Sequence, residues 1–222
     1  MNEEAALIGQ RMRTPRAAAV AGIVFSLLLI ASMLLIRISI PANPLGPATD
    51  VINHSKAISL ALHLLPFAGI AFLWFIAVVR DRLGELEDRF FATVFLGSGL
   101  LFIAMVFTSA AIAGGIIIVL SSGSGNLIQS GTYALGRVVS YQVMHVYATK
   151  MAGVFMISTS TLALRTRIVP RWMAFLGYTL ALFLLLSVDS VEWAAVVFPL
   201  WVLLISVHIL LANLQPQLAS DL

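Results

Sequence analysis

The chain has 222 residues, 60% of them apolar and 10% charged, with a mean hydropathy of +1.02, a formal charge of +3 and a pI near 9.7. A soluble domain carries about 45 to 50% apolar and about 25% charged residues, so an ordinary water-soluble core is excluded as the place for this much apolar surface. The basic residues stand beside apolar blocks with no run of Lys and Arg interleaved with aromatics, which argues against a nucleic-acid partner; the lack of cysteine excludes disulfides, thiolate metal sites and cysteine nucleophiles.

The apolar residues fall into blocks of roughly 17 to 30, the length a helix needs to cross about 30 Å of hydrocarbon. Lipid is therefore the expected surroundings, and the expected fold is an all-α, polytopic bundle of six transmembrane helices. A cytoplasmic segment 1–16 precedes the membrane domain 17–212, and a cytoplasmic tail 213–222 follows it. The first block is too long for a signal peptide and no small-x-small cleavage site follows it, so it is expected to remain as the first span.

The first span is expected over residues 18–38, with Pro15 near its start and Pro41 beyond its end. Pro41, Pro44, Gly46 and Pro47 then stop the helix. Span two, 57–79, contains Pro66, where neighbouring helices can satisfy the freed carbonyl, so a kink is predicted rather than a break. The connection RDRLGELEDRF from Arg80 places Glu85 and Arg89 four residues apart, the spacing of a helical pair, although a solvated loop explains it as well. Span three, 91–120, exceeds one crossing, and its Ala110, Ala111, Gly114 and Gly115 predict a close-packing surface. After a Ser/Gly-rich loop at 121–131 come span four at 138–164, span five at 173–188 and span six at 193–211. Trp172, Trp193 and Tyr133 read as interfacial anchors.

Six spans put Arg11, Arg13, Arg16, Arg80, Arg82, Arg89, Arg165, Arg167 and Arg171 on one side, against Arg37, Lys56 and Arg137 on the other. Nine against three is the bias expected of a cytoplasmic face, and it assigns both termini to the cytoplasm.

The blocks FLWFIAVVRDRLGELEDRFF from Phe72, MAGVFMISTSTLALRTRIVPRW from Met151 and FPLWVLLISVHIL from Phe198 resemble those of small multi-pass membrane proteins of actinobacterial type. The turn from Val169 to Trp172 also resembles the Arg/Pro-Arg-Trp turn joining late helices in bacterial membrane domains of unknown function. The resemblance implies a bacterial plasma membrane; no activity, cofactor or catalytic residue comes with it.

A charge at the centre of a spanning helix costs about 2.5 to 3.5 kcal/mol on insertion scales, which singles out Lys150 in span four. At 100° per residue, Gln142, His145, Thr149, Gly153 and Ser160 share one half of that span, with Tyr141 and Lys150 at its margins. Gln142, His145, Thr149 and Lys150 are therefore an expected intramembrane polar site. No Asp or Glu lies deep in any span, so Lys150 is expected to use carbonyls or hydroxyls, to lose its proton, or to meet an anion. Packing alone also accounts for it.

His63 and His145 are expected at similar depths of roughly 8 to 12 Å. Such a pair could hold a b-type haem, and His54 with Asp50 could serve an outward-facing metal site; hydrogen-bonded structural histidines are the plainer reading. His208, Asp189 and Glu192 read as solvated groups near the interfaces. No GxSxG, HExxH, GxxxxGK[ST] or GxGxxG element is present. The sequence thus favours a non-enzymatic small-solute or lipid-interacting protein, or an accessory subunit packed against a membrane partner or a second copy. A haem redox protein using His63 and His145 is the alternative, followed by a membrane-embedded metalloenzyme.

Overall fold

The computed structural model describes residues 2–39, 53–83, 89–122, 131–166, 169–187 and 193–218. Asp50, Glu85, Asp189 and Glu192 lie outside them. The described residues are helical, with no strand among them: α1 (Asn2–Ser39), α2 (Ser55–Leu83), α3 (Arg89–Ser121), α4 (Thr132–Gln142), a π-helical segment (Val143–Ala148), α5 (Thr149–Thr166), α6 (Arg171–Leu186) and α7 (Ala194–Leu218). Four helices are long and apolar enough to cross a membrane, over Ala17–Ser39, Ser55–Arg80, Ala92–Ser121 and Ala194–Ala212. The continuous run from α4 through the π segment to α5 is longer but more polar, and α6 is a shorter apolar helix.

Two prolines behave differently from simple helix punctuation. Pro15 lies inside α1 rather than at its start, where it removes one backbone donor. Pro66 lies inside α2, which continues through it. At α6, Pro170 is the N-cap, and its carbonyl accepts from the Met173 N–H at 3.0 Å. The missing N–H of proline costs nothing there, because the first helical donors have no intrahelical partner in any case.

The bundle is joined around a phenylalanine cluster. Phe25 of α1, Phe72 of α2, Phe102 of α3, Phe155 of α5 and Phe198 of α7 are all buried. Ring centroids are 4.4 Å apart for Phe25–Phe72, 5.1 Å for Phe72–Phe155 and 4.8 Å for Phe102–Phe198. Aromatic pairs contribute about 0.5–1.5 kcal/mol beyond area burial, and in lipid such packing replaces the hydrophobic drive that water would supply.

Small residues bring the remaining helices together. Gly177 of α6 lies against Ser160 of α5 and Trp201 of α7, and Gly22 of α1 lies against Ser206 of α7, so closely that a Cβ at either glycine would collide with the serine hydroxyl. The small residues of α3 act differently from the expected seam. A Cβ on Gly114 would meet Leu62 at an ordinary 3.7 Å, Gly115 faces open space, and Ala110 lines a cavity.

Most hydroxyls in the spans bond to a carbonyl of their own helix: Ser26 to Gly22 at 2.8 Å, Ser98 to Val94 at 2.6 Å and Thr159 to Phe155 at 2.8 Å. This is how a polar side chain is accommodated where water is absent.

Candidate functional site: a cavity between α1, α2, α3, α4 and α7

One end of the bundle is not filled. The last turns of α1, the first turns of α2 and α7, the second half of α3 and the α4–π segment border a cavity of about 210 Å³. Its body is apolar, with Leu62 and Leu65 on α2, Val106 and Ile117 on α3, and Met144 on the π segment. Val106 and Ile117 are eleven residues apart, so at 1.5 Å per residue the wall of α3 extends about 16 Å. A cavity of about 150 Å³ already holds a benzene-sized ligand, whereas cofactor and drug sites run to about 300–1,000 Å³. The space therefore suits one slender apolar group.

Two arginines are among the residues lining it. Arg37, in the last turn of α1, stands 5.8 Å from the ring centroid of the exposed Trp193, which precedes α7. Arg137 of α4 donates to the Tyr133 hydroxyl at 3.2 Å. Tyr133 is itself buried against Ile58, so it holds Arg137 rather than standing exposed as an interfacial anchor. No carboxylate occurs among the described lining residues.

Deeper in, Ser109 of α3 and Ser140 of α4 bond reciprocally: each hydroxyl donates to the other residue's carbonyl, at 2.8 and 2.9 Å. One turn further, the rings of Tyr141 and His145 stack at 4.0 Å with 14° between planes. His145 Nδ1 is 3.1 Å from the Tyr141 carbonyl, which can only accept, so Nδ1 carries a hydrogen and donates there. His145 lies within the π segment, a widened turn often found at functional positions.

The expected polar site is divided by this geometry. His145 lines the cavity, and the half-buried Gln142 closes α4. Thr149 is buried and donates to the Met144 carbonyl at 3.3 Å, a five-residue reach across the π turn. Lys150 turns to another partner: its Nζ donates to the carbonyls of Leu184 at 2.9 Å and Ser187 at 2.6 Å, at the C-terminal end of α6. That end carries unsatisfied carbonyls and the negative pole of the helix dipole. Backbone carbonyls are thus among the partners expected for this side chain, and Lys150 reaches two of them.

His63 and His145 do not face one space. His63 is exposed on α2, with Nδ1 2.6 Å from the Ser59 carbonyl, and is not among the residues lining the cavity. His54 is exposed and His208 half-buried. Among the described residues no group of three or more His, Cys, Asp or Glu side chains could hold a metal ion. Sequence reasoning treated Arg37 and Arg137 only as topology markers.

The chain matches no family model, no curated protein and no solved structure.

Proposed function

We propose that this is a six-span protein of a bacterial cytoplasmic membrane, of the actinobacterial multi-pass type, and that it binds a lipid-like molecule without transforming it. Both termini face the cytoplasm, and the cavity lies in the outer half of the bundle. The single observation that carries the functional reading is the cavity itself, with an apolar body between five helical elements and arginine, serine and histidine residues in its lining. Ligand sites have that constitution: apolar walls supply affinity and a few polar groups fix orientation. In a chain so rich in apolar side chains, leaving such a space empty would forfeit packing.

The six-span reading is supported by the four long apolar helices, by a fourth crossing through the α4–π–α5 run, and by α6 as a short crossing whose C-terminal end is completed by Lys150. The test is direct extraction. Protein purified from native membranes in a mild detergent should release a single-chain amphiphile in near one-to-one amount, detected by mass spectrometry. Ala110→Trp, which places an indole in the cavity, should abolish that yield while leaving the helical content unchanged. Equal yields from the two proteins would refute the reading.

A further inference from the structure

We propose that the cavity selects its ligand by chain length: Val106 and Leu65 form a fixed stop for the end of an unbranched chain, and Ala110 sets the bore next to that stop, so that one length binds best. The proposal rests on the cavity reading above and names what that site discriminates.

α3 contributes Val106, Ser109, Ala110, Ala113, Ile116 and Ile117 to the lining, positions spaced as one face of a helix. The middle of that face is small and its ends are large. From Ser109 to Ala113 is about 6 Å along the axis, and over that stretch α3 offers only methyl and hydroxymethyl groups. α2 presents Leu62 and Leu65 to the same space. A Cβ on Gly114 would meet Leu62 at 3.7 Å, so the two helices stand close just past Ala113 and the bore between them is narrow. Such a bore suits one extended chain.

The stop is rigid because of what packs behind it. Val106 and Leu65 are buried, and they are the innermost lining residues of α3 and α2. Phe102 lies one turn beyond Val106, and Phe72 two turns beyond Leu65. The rings of Phe72 and Phe102 are 5.6 Å apart, and Phe198 lies 5.7 and 4.8 Å from them. A close-packed interior of this kind resists even one added methylene. The void beside it, bordered by Met33, Met144 and Phe102, holds about 10 Å³, no more than a single water needs. A chain that has reached Val106 and Leu65 therefore cannot advance, whereas a shorter chain leaves lining atoms without contacts.

The experiment uses the full chain in phosphatidylcholine nanodiscs. Straight-chain alkanoates from octanoate to octadecanoate compete with isotopically labelled dodecanoate. Each is counted as its mole fraction in the leaflet, which removes the general gain in hydrophobic transfer with length. Displacement from the wild type should pass through a maximum within the series, with octadecanoate at least about tenfold weaker than the best length. Val106→Ala lowers the stop and should move the maximum to a longer chain; Leu65→Val trims the stop from α2 and should move it the same way. Ala110→Leu fills the bore one turn from Val106 and should move it to a shorter chain. Ala111→Leu, at an exposed position of the same helix, should leave it in place. A general loss of stability does not produce opposite shifts in proteins that still bind.

A flat dependence on length, or a maximum left unmoved by the stop and bore variants that still bind, overturns the length selection while the binding reading stands. If labelled dodecanoate does not bind the wild type and no other length does, the cavity reading itself fails.

Discussion

Ser109 and Ser140, thirty-one residues apart, exchange hydrogen bonds in both directions: each hydroxyl donates to the other's carbonyl, and the two hydroxyl oxygens are 3.0 Å apart. The pair ties α3 to α4 inside the cavity wall. Each acceptor is a backbone carbonyl that survives substitution by alanine, so removing one hydroxyl leaves the other bond in place and the two effects should be close to additive. Ser109→Ala and Ser140→Ala should each cost about 0.6 kcal/mol, and at most about 1.7, as expected for an interhelical bond in a membrane. Unfolding in a denaturing detergent measures both, and a double variant that loses much more or much less than the sum would show that the contact between the two hydroxyls carries the pair.

Lys150 is predicted to act on stability. Its two bonds to the end of α6 join two helices, and such bonds in a membrane are worth about 0.6 and at most about 1.7 kcal/mol each. The Ser187 hydroxyl also donates to Leu184 at 2.9 Å and remains after substitution. Lys150→Met should therefore lower stability by about 1–3 kcal/mol, and dodecanoate binding should stay within twofold of wild type. A variant of normal stability with lost binding would place Lys150 at the ligand instead.

The glycine–serine contacts are steric, and the two serine hydroxyls involved, Ser160 and Ser206, have no hydrogen-bond partner among the described residues. Ser206→Ala should thus change stability by less than about 0.5 kcal/mol. Gly22→Ala forces a carbon into the space of the Ser206 hydroxyl and should cost about 1–3 kcal/mol. Combining it with Ser206→Gly should restore most of the loss. Failure of that rescue would mean that Gly22 serves backbone conformation rather than close approach.

Membrane orientation has a clean assay because the chain has no cysteine. Asn53 and Ser122 are exposed at one end of the helices, Arg80 and Arg165 at the other. Single cysteines at 53 and 122 should react with an impermeant maleimide on intact cells, and those at 80 and 165 only after permeabilisation. The opposite pattern would invert the proposed topology and place the cavity on the cytoplasmic side.

Much of the helical framework was legible because its signals are local. Apolar blocks mark α1, α2, α3 and α7, and α2 continues through Pro66 as a spanning helix with neighbours can. What was not legible depends on partners distant in the chain. Lys150 meets carbonyls thirty-four and thirty-seven residues away, and no local pattern chooses them over a hydroxyl or an anion. The polar face of the fourth span was counted at 100° per residue, but the π segment at Val143–Ala148 interrupts that period. Residues before and after it no longer share the face an uninterrupted helix would give them. The small residues of α3 were read as a seam; whether small side chains let helices touch or leave a gap depends on what stands opposite, and here Ala110 and Ala113 face space.

The central claim, that the cavity holds the chain of an amphiphile, is tested most directly by photocrosslinking. A dodecanoate carrying a diazirine near the end of its chain is irradiated with the protein in nanodiscs, and the modified residues are mapped by mass spectrometry. Adducts are expected on Leu65, Val106 and Met144, which line the inner part of the cavity, and excess unlabelled dodecanoate should remove them. Adducts confined to lipid-facing residues such as Phe67, Trp74 and Leu100, unaffected by competitor, would contradict the account.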